Sequence, residues 1–222
     1  MDKVDSIEAK HVCDLALSEL LAVSPTLGQS GADLRTAVGD FIANGLALIA
    51  IDTEGPALQN IFALAQVAGI TQSQLAYVFD FIEPITTTTL GGGLMKNFLA
   101  ELVLAYECRV IATMSFRSRD KVDALMAILV SQFNPLEEAF ADAMDQASYR
   151  ALLRLRSGIV AYLVQTAQPL PKLISFQFNE VLPTLVQAYR LYVDASRADE
   201  LLQENGVVHP LFSPRTGVAL SQ

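Results

Sequence analysis

The sequence predicts a mainly α fold, a multi-helix bundle followed by a small C-terminal α/β tail. Apolar residues recur at helical spacing with few interruptions up to about residue 170. Beyond that the pattern shortens: "LISFQF" (173–178) alternates, and "GVAL" (217–220) offers a second short apolar run. Composition adds a third observation. Hydrophobic residues make up 52% of the 222 and charged residues 18%, against about 45–50% and about 25% in ordinary globular domains. So much apolar surface is expected to be hidden partly in a core and partly against other subunits, which favours a homo-oligomer over a free monomer. The expected organisation is a helical domain at 1–172 and a docking module at 173–222.

The first helix is expected at about 6–23, where Ile7, Val12, Leu15, Ala16, Leu20 and Leu21 fall near helical spacing and "SPTLGQSG" ends the run. A second covers about 32–50, with Leu34, Val38, Phe41, Ile42, Leu46 and Ile49 on a broad face; Gly39 and Gly45 inside it point to close helix packing. "DTEGP" (52–56) is a turn that sets Pro56 near the start of a helix at about 57–68, which Gly69 caps. Thr71 is a natural N-cap for the next helix, which carries Leu75, Val78, Phe79 and Ile82 and is closed by Pro84. "ITTTTLGGGL" (85–94) reads as an extended hinge or docking loop.

A helix at about 95–114 is apolar nearly all round and is expected at the centre. Ser118 starts another, holding Val122, Leu125, Met126 and Leu129, and Asn134-Pro135 breaks it. "LEEAFADAMDQAS" then gives a short acidic helix and "YRALLRLRSGIVAYLVQTA" a further one. "QPLPK" (168–172) precedes the alternating run, a strand or an extended crossing segment. "NEVLPTLVQAYRLY" reads as a helix with Asn179 as cap and Pro183 in its tolerant first turn. The charged "RADELLQEN" makes the last, for a total of about eight or nine helices.

No arrangement for catalysis emerges. His11 and Cys13 are two apart on a helix, so their side chains diverge and cannot act as a pair. Cys13 and Cys108 read as buried thiols, and with two histidines at unrelated spacings they make no metal site. Glu137-Glu138 and Asp199-Glu200 read as solvated faces, and Asp142 with Asp145 lacks the glycine and terminal Glu of a calcium loop. Lys96 is followed by Asn97, which breaks the phosphate-loop pattern, and no serine sits in a G-x-S-x-G elbow. No enzyme, cofactor or metal is expected.

Charge narrows the partners. Fifteen basic residues against 24 acidic ones give a net charge of −9, whereas a phosphate-gripping surface needs clustered Lys and Arg. "RSRDK" (117–121), with Arg150, Arg154 and Arg156, is the nearest basic cluster, and Asp120 lies inside it. The opening "MDKVDSIEAK" is charged and lacks the apolar run of a signal peptide. "FIANGLALIAI" (41–51) and "FLAELVLAY" (98–106) are far short of the roughly 20 residues a membrane span requires. A reducing cytoplasm suits the free cysteines.

The tail is the most distinctive segment. Asp194 and Ser196 are placed to cap "RADELLQEN", Asn205-Gly206 is an αL stop, and "VVHPLFSP" is expected to pack Val207, Val208, Leu211 and Phe212 back toward Leu201 and Leu202. A short helix, an Asn, a Pro turn and a closing apolar strand resemble the last half of a LysM-like module.

A longer stretch carries a further resemblance. "YRALLRLRSGIVAYL" (149–163), "LISFQF" (173–178) and "LPTLVQAYRLYVDASRADELLQENGVVHPLF" (182–212), with "FRSRDKVDAL" (116–125), resemble in motif and order the C-terminal region of the phage Mu-type DNA circularisation protein, the Mu N protein family. Val193 stands where that family usually has Gly, and the family's β-rich N-terminal module has no counterpart in these 222 residues. The resemblance implies a component of a contractile phage or prophage tail, made in the bacterial cytoplasm and located in the virion tail at the baseplate hub. It implies other tail and baseplate proteins as partners. Arg190, Tyr192, Asp194, Arg197, Asp199, Asn205, His209 and Pro210 are the candidate docking residues. The family name also implies DNA handling, hence an alternative: a protein that holds or circularises phage genome ends. The acidic, apolar body favours protein–protein assembly over direct DNA contact. A LysM-like peptidoglycan binder and a helical enzyme of unknown type are the remaining readings.

Overall fold

Asp2 opens the first helix: its carboxylate accepts the Lys3 N–H at 2.6 Å, satisfying one donor that a helix N-terminus leaves free. The computed structural model describes residues 2–221. Its helices are α1 (Lys3–Val23), α2 (Gly28–Ala50), α3 (Glu54–Ala68), α4 (Gln72–Ile82), α5 (Leu90–Ile111), α6 (Arg119–Asp142), α7 (Gln146–Ala167), α8 (Thr184–Tyr192) and α9 (Ala198–Glu204). Strand β1 (Leu173–Gln177) precedes α8, and β2 (Thr216–Leu220) follows α9. The two strands pair antiparallel, Leu173 opposite Leu220 and Gln177 opposite Thr216. The chain is thus mainly helical, with a small two-stranded sheet at its C-terminal end.

Two compact units make up the chain: Met1–Met114 with Ile128–Ile159, and Ser115–Ala127 with Val160–Gln222. In the first, α5 packs against α1, α3 and α4, and α2 packs against α1 and α3. Leu99, Val103, Leu104 and Ile111 of α5 are fully buried. A helix apolar round most of its circumference is stable only with neighbours on most sides, which is why α5 is central. Thr71 forms a full capping box with Gln74, and the Gln74 amide also donates to the Val23 carbonyl at 2.6 Å, closing the end of α1.

Three expectations fail, each for a local reason. The segment 85–94 is not an extended loop throughout, because α5 begins at Leu90 and takes in all three glycines. Thr89 caps it, accepting the Gly92 N–H at 3.0 Å. Glu8 of α1 accepts the Thr88 and Thr89 N–H groups at 2.7 and 2.6 Å, and Asp5 accepts that of Gly91 at 3.3 Å. Carboxylates are favoured at a helix N-terminus. A Cβ on Gly92 would lie 2.5 Å from Glu8 Oε2, so glycine is what lets the carboxylate approach. The threonine hydrogen bonds lower the Glu8 pKa to about 2.

Pro135 does not end its helix; α6 runs through it to Asp142. The buried Leu129, Phe133, Leu136 and Phe140 stay in phase on both sides of the proline, so packing outweighs the lost backbone hydrogen bond. The "short acidic helix" is therefore the end of α6 and the first turn of α7, which Asp145 caps by accepting the Ala147 and Ser148 N–H groups at 3.1 Å. Asn179 caps nothing: α8 starts at Thr184, with Pro183 at its N-cap in extended backbone.

Candidate functional site

The C-terminal unit is organised round a small core of Phe176, Ala188, Tyr192, Ala198, Leu201 and Ala219. Helix α8 presents Ala188 and Tyr192 to that core and buries Thr184 one turn earlier on the same line, at four-residue spacing. The adjacent four-residue series, Leu185, Tyr189 and Val193, is exposed and makes an apolar stripe along the other side.

The segment 207–214 is tied along α8 by polar contacts. Pro210 O accepts from Thr184 N at 2.8 Å and Thr184 Oγ1 at 2.9 Å. Pro214 O accepts from Gln187 Nε2 at 2.9 Å, and Ser213 Oγ donates to Gln187 Oε1 at 2.8 Å. These contacts turn Leu211 and Phe212 outward. Val208 is 99% exposed and Phe212 74%, so the expected packing of Val208, Leu211 and Phe212 onto Leu201 and Leu202 does not occur. Only Val207 turns back, donating its N–H to Leu202 O at 2.9 Å. Leu185, Tyr189, Val193, Val208, Leu211 and Phe212 are thus all exposed large apolar side chains of this unit, the kind of residue that marks a contact surface when gathered in a patch.

Of the eight residues picked from sequence, three are built into the unit itself. Tyr192 is buried, with the Arg197 guanidinium 3.7 Å from its ring centroid. Burial, then the Glu200 charge, raises its hydroxyl pKa. Arg197 in turn grips Glu200 through two bonds at 2.6 and 3.1 Å. Asn205 acts as a piece of strand: its amide donates to Val218 O and accepts from Val218 N, both at 2.8 Å, and donates to Leu201 O at 2.9 Å. Gly217 leaves room for that amide, since a Cβ there would lie 2.3 Å from Asn205 Oδ1.

Asp194 caps the 3-10 turn at Ala195–Arg197, and the Ser196 hydrogen bonds hold its carboxyl below the usual range. Pro210 supplies the carbonyl that anchors Thr184. Arg190, Asp199 and His209 face solvent. Arg190 lies 3.8 Å from the exposed Glu180, and the His209 ring stacks 5.2 Å from Phe212. His209 therefore lies beside the exposed Phe212, and Asp199 stands in the first turn of α9. Leu185, Tyr189, Leu211 and Phe212 were missed as site residues. Two four-residue series run along α8, and apolarity alone favours burying Leu185, Tyr189 and Val193 rather than Thr184, Ala188 and Tyr192.

Val193 carries a further signal. It caps α8 in the left-handed region at φ 58 and is 75% exposed. That backbone costs an L-residue about 1–2 kcal/mol, and a β-branched side chain is a true outlier there. No burial within the chain compensates. A scan of the chain against protein-family models finds no match, and no curated protein matches it.

Other chemistry is sparse. Among the described residues no three or more His, Cys, Asp or Glu are grouped to hold a metal ion, and no helix is long and apolar enough to cross a membrane. His11 is exposed while Cys13 is buried, so the two do not meet. Burial pushes both thiols, Cys13 and Cys108, up to about 12. Two of the three cations of the "RSRDK" segment have acidic partners: Lys121 pairs with Glu204 at 2.7 Å and Arg119 lies 3.8 Å from Asp123, while Asp120 accepts the Leu173 N–H at 2.6 Å. One buried acid escaped the sequence reading. Glu107 of α5 is fully buried and accepts from Gln72 Nε2 at 2.8 Å. Burial raises its pKa to about 7, against the pull of that hydrogen bond and helped by Asp80.

Proposed function

We propose that this chain is a structural component of a contractile phage or prophage tail, acting at the baseplate hub by protein–protein assembly. The C-terminal unit docks on a neighbouring tail protein through Leu185, Tyr189 and Val193 of α8 together with Leu211 and Phe212. The observation that carries the reading is Val193, a strained and exposed β-branched residue at the end of that stripe. A contact outside the chain accounts for keeping it. The motif order over 116–212 supports the Mu N family. The order strand, helix, helix, strand with an antiparallel pair supports a LysM-like reading of the tail.

Aromatic side chains anchor interfaces disproportionately, so Tyr189 and Phe212 are the expected hot spots, with Arg190 and His209 on the rim. The test is native mass measurement of the chain with and without baseplate-hub proteins of a contractile tail. Wild type is expected to assemble, and Tyr189→Glu or Phe212→Glu to weaken the complex at least tenfold while remaining folded. Nanomolar, salt-sensitive binding to linear duplex DNA would instead make it a holder of genome ends. Retention on purified cell wall would favour the peptidoglycan-binding reading.

A further inference from the structure

The end of α4 and the chain just after it form a shallow cleft of about 400 Å³, lined by Tyr77, Asp80, Phe81, Pro84 and Ile85. It belongs to the first unit, whereas α8 belongs to the second. Tyr77, Asp80, Phe81 and Pro84 follow the i, i+3, i+4, i+7 spacing that places side chains in one sector of a helix, and Glu83 keeps α-helical backbone past Ile82. Tyr77 and Asp80 are exposed and Phe81 is half-buried. The lining is thus aromatic and apolar, with a single charged group.

That group is poorly placed for the chain itself. Asp80 stands in the last turn of α4, where the helix dipole favours cations, and the turn carries no basic residue. Lys96 of α5 reaches the end of α4 but gives its ammonium to Glu83 O and Ile85 O at 2.8 and 3.2 Å. Among the described residues no cation lies within ion-pair distance of Asp80. Its charge also opposes ionisation of the buried Glu107. The second unit shows what such a pair of groups can hold. There Arg197 joins an aromatic ring to a carboxylate: its guanidinium lies 3.7 Å from the Tyr192 ring centroid and bonds Glu200 at 2.6 and 3.1 Å. Tyr77 and Asp80 offer the same ring and carboxylate, with no arginine of the chain between them.

We propose that this cleft binds a guanidinium cation, the head of an arginine side chain or of a small guanidino compound. The Asp80 carboxylate accepts two parallel N–H groups, and the rings of Tyr77 and Phe81 attract the planar cation. Pro84 and Ile85 seat the methylene stem. An anion is repelled by Asp80, and a neutral amide forgoes both the ion pair and the ring attraction. Because the contact is exposed, salt screens it, and the isolated head group binds with a Kd on the order of 1–10 mM.

The test is an amide NMR titration of the full chain with ethylguanidinium up to about 50 mM, beside ethylurea as its uncharged counterpart and a capped Gly-Arg-Gly peptide. Saturable shifts confined to the cleft and its immediate neighbours are expected with ethylguanidinium. Binding is expected to be at least tenfold weaker with ethylurea and to fall severalfold at high salt. Tighter binding of the peptide assigns the site to an arginine of a partner protein; equal binding assigns it to a small guanidino compound. Asp80→Asn is expected to lower affinity at least tenfold with no loss of melting temperature, since that carboxylate has no cation partner within the chain. Tyr77→Ala lowers affinity severalfold. Asp40→Asn, which removes an exposed acid of α2, leaves it unchanged. Failure to saturate, equal binding of ethylurea, or equal losses in Asp40→Asn and Asp80→Asn overturns the proposal.

Discussion

Replacing Glu107 with glutamine tests whether the centre of the first unit carries a titratable strain. Below about pH 4.5 the carboxyl is protonated in both the folded and unfolded chain, and it imposes no penalty. As pH rises, the unfolded chain ionises first, while the folded one keeps its proton until about 7. Stability falls through that window and the loss is complete above it. At about 1.4 kcal/mol per pH unit, the loss reaches about 3 kcal/mol. Glutamine is neutral at every pH and keeps an oxygen to accept from Gln72 Nε2. Glu107→Gln is therefore expected to be more stable than wild type by about 3 kcal/mol at pH 8. That corresponds to about 6–12 °C in the melting of a chain this size. The gain should shrink below about 1 kcal/mol at pH 5. Thermal melts followed by helical circular dichroism at both pH values decide it. An equal gap at pH 5 and pH 8, or a variant less stable at pH 8, would refute the reasoning.

Other outcomes follow from the contacts described above. Val193→Gly relieves the left-handed strain and should raise the stability of the C-terminal unit by about 1 kcal/mol while weakening its assembly; a purely internal role would not give opposite signs. Asn205→Ala leaves the Val218 amide and carbonyl unpaired, costing about 2–3 kcal/mol, and amide exchange at Val218 should quicken in step. An NMR titration should find Glu8 ionising near pH 2. The support it gives α5 is then full above pH 4.5 and fades as pH falls toward 2. Gly92→Ala, by crowding Oε2, should return that midpoint toward the usual carboxylate range.

Most of the helices were legible because cap and apolar spacing agree. Thr71 and Gly69 do what their residue types predict, and α5 lies at the centre because apolar residues ring most of it. The reading broke where a distant residue overrules a local signal. Glycines at 91–93 look like loop until Glu8 and Asp5 arrive from α1 to hold a helix start. Pro135 looks like a stop until the buried stripe is followed across it. At the candidate site, sequence picked the charged and capping residues of the tail, and several of these, Tyr192, Arg197 and Asn205 among them, hold the unit together. The surface itself went unread because α8 offers two competing four-residue series. Which one is buried depends on Pro210 and Pro214 lying along the helix, a contact across more than twenty residues.

Asn205 also bears on how the C-terminal unit can join anything else. A two-stranded ribbon ordinarily invites a third strand, because its outer backbone groups are unused. Here the Asn205 amide already occupies the Val218 pair on the outer margin of β2. At that pair an incoming polypeptide finds no vacancy to zip into. Lengthening the ribbon there would first have to displace the Asn205 amide, which leaves recognition to side chains such as those of α8, able to discriminate one neighbour from another.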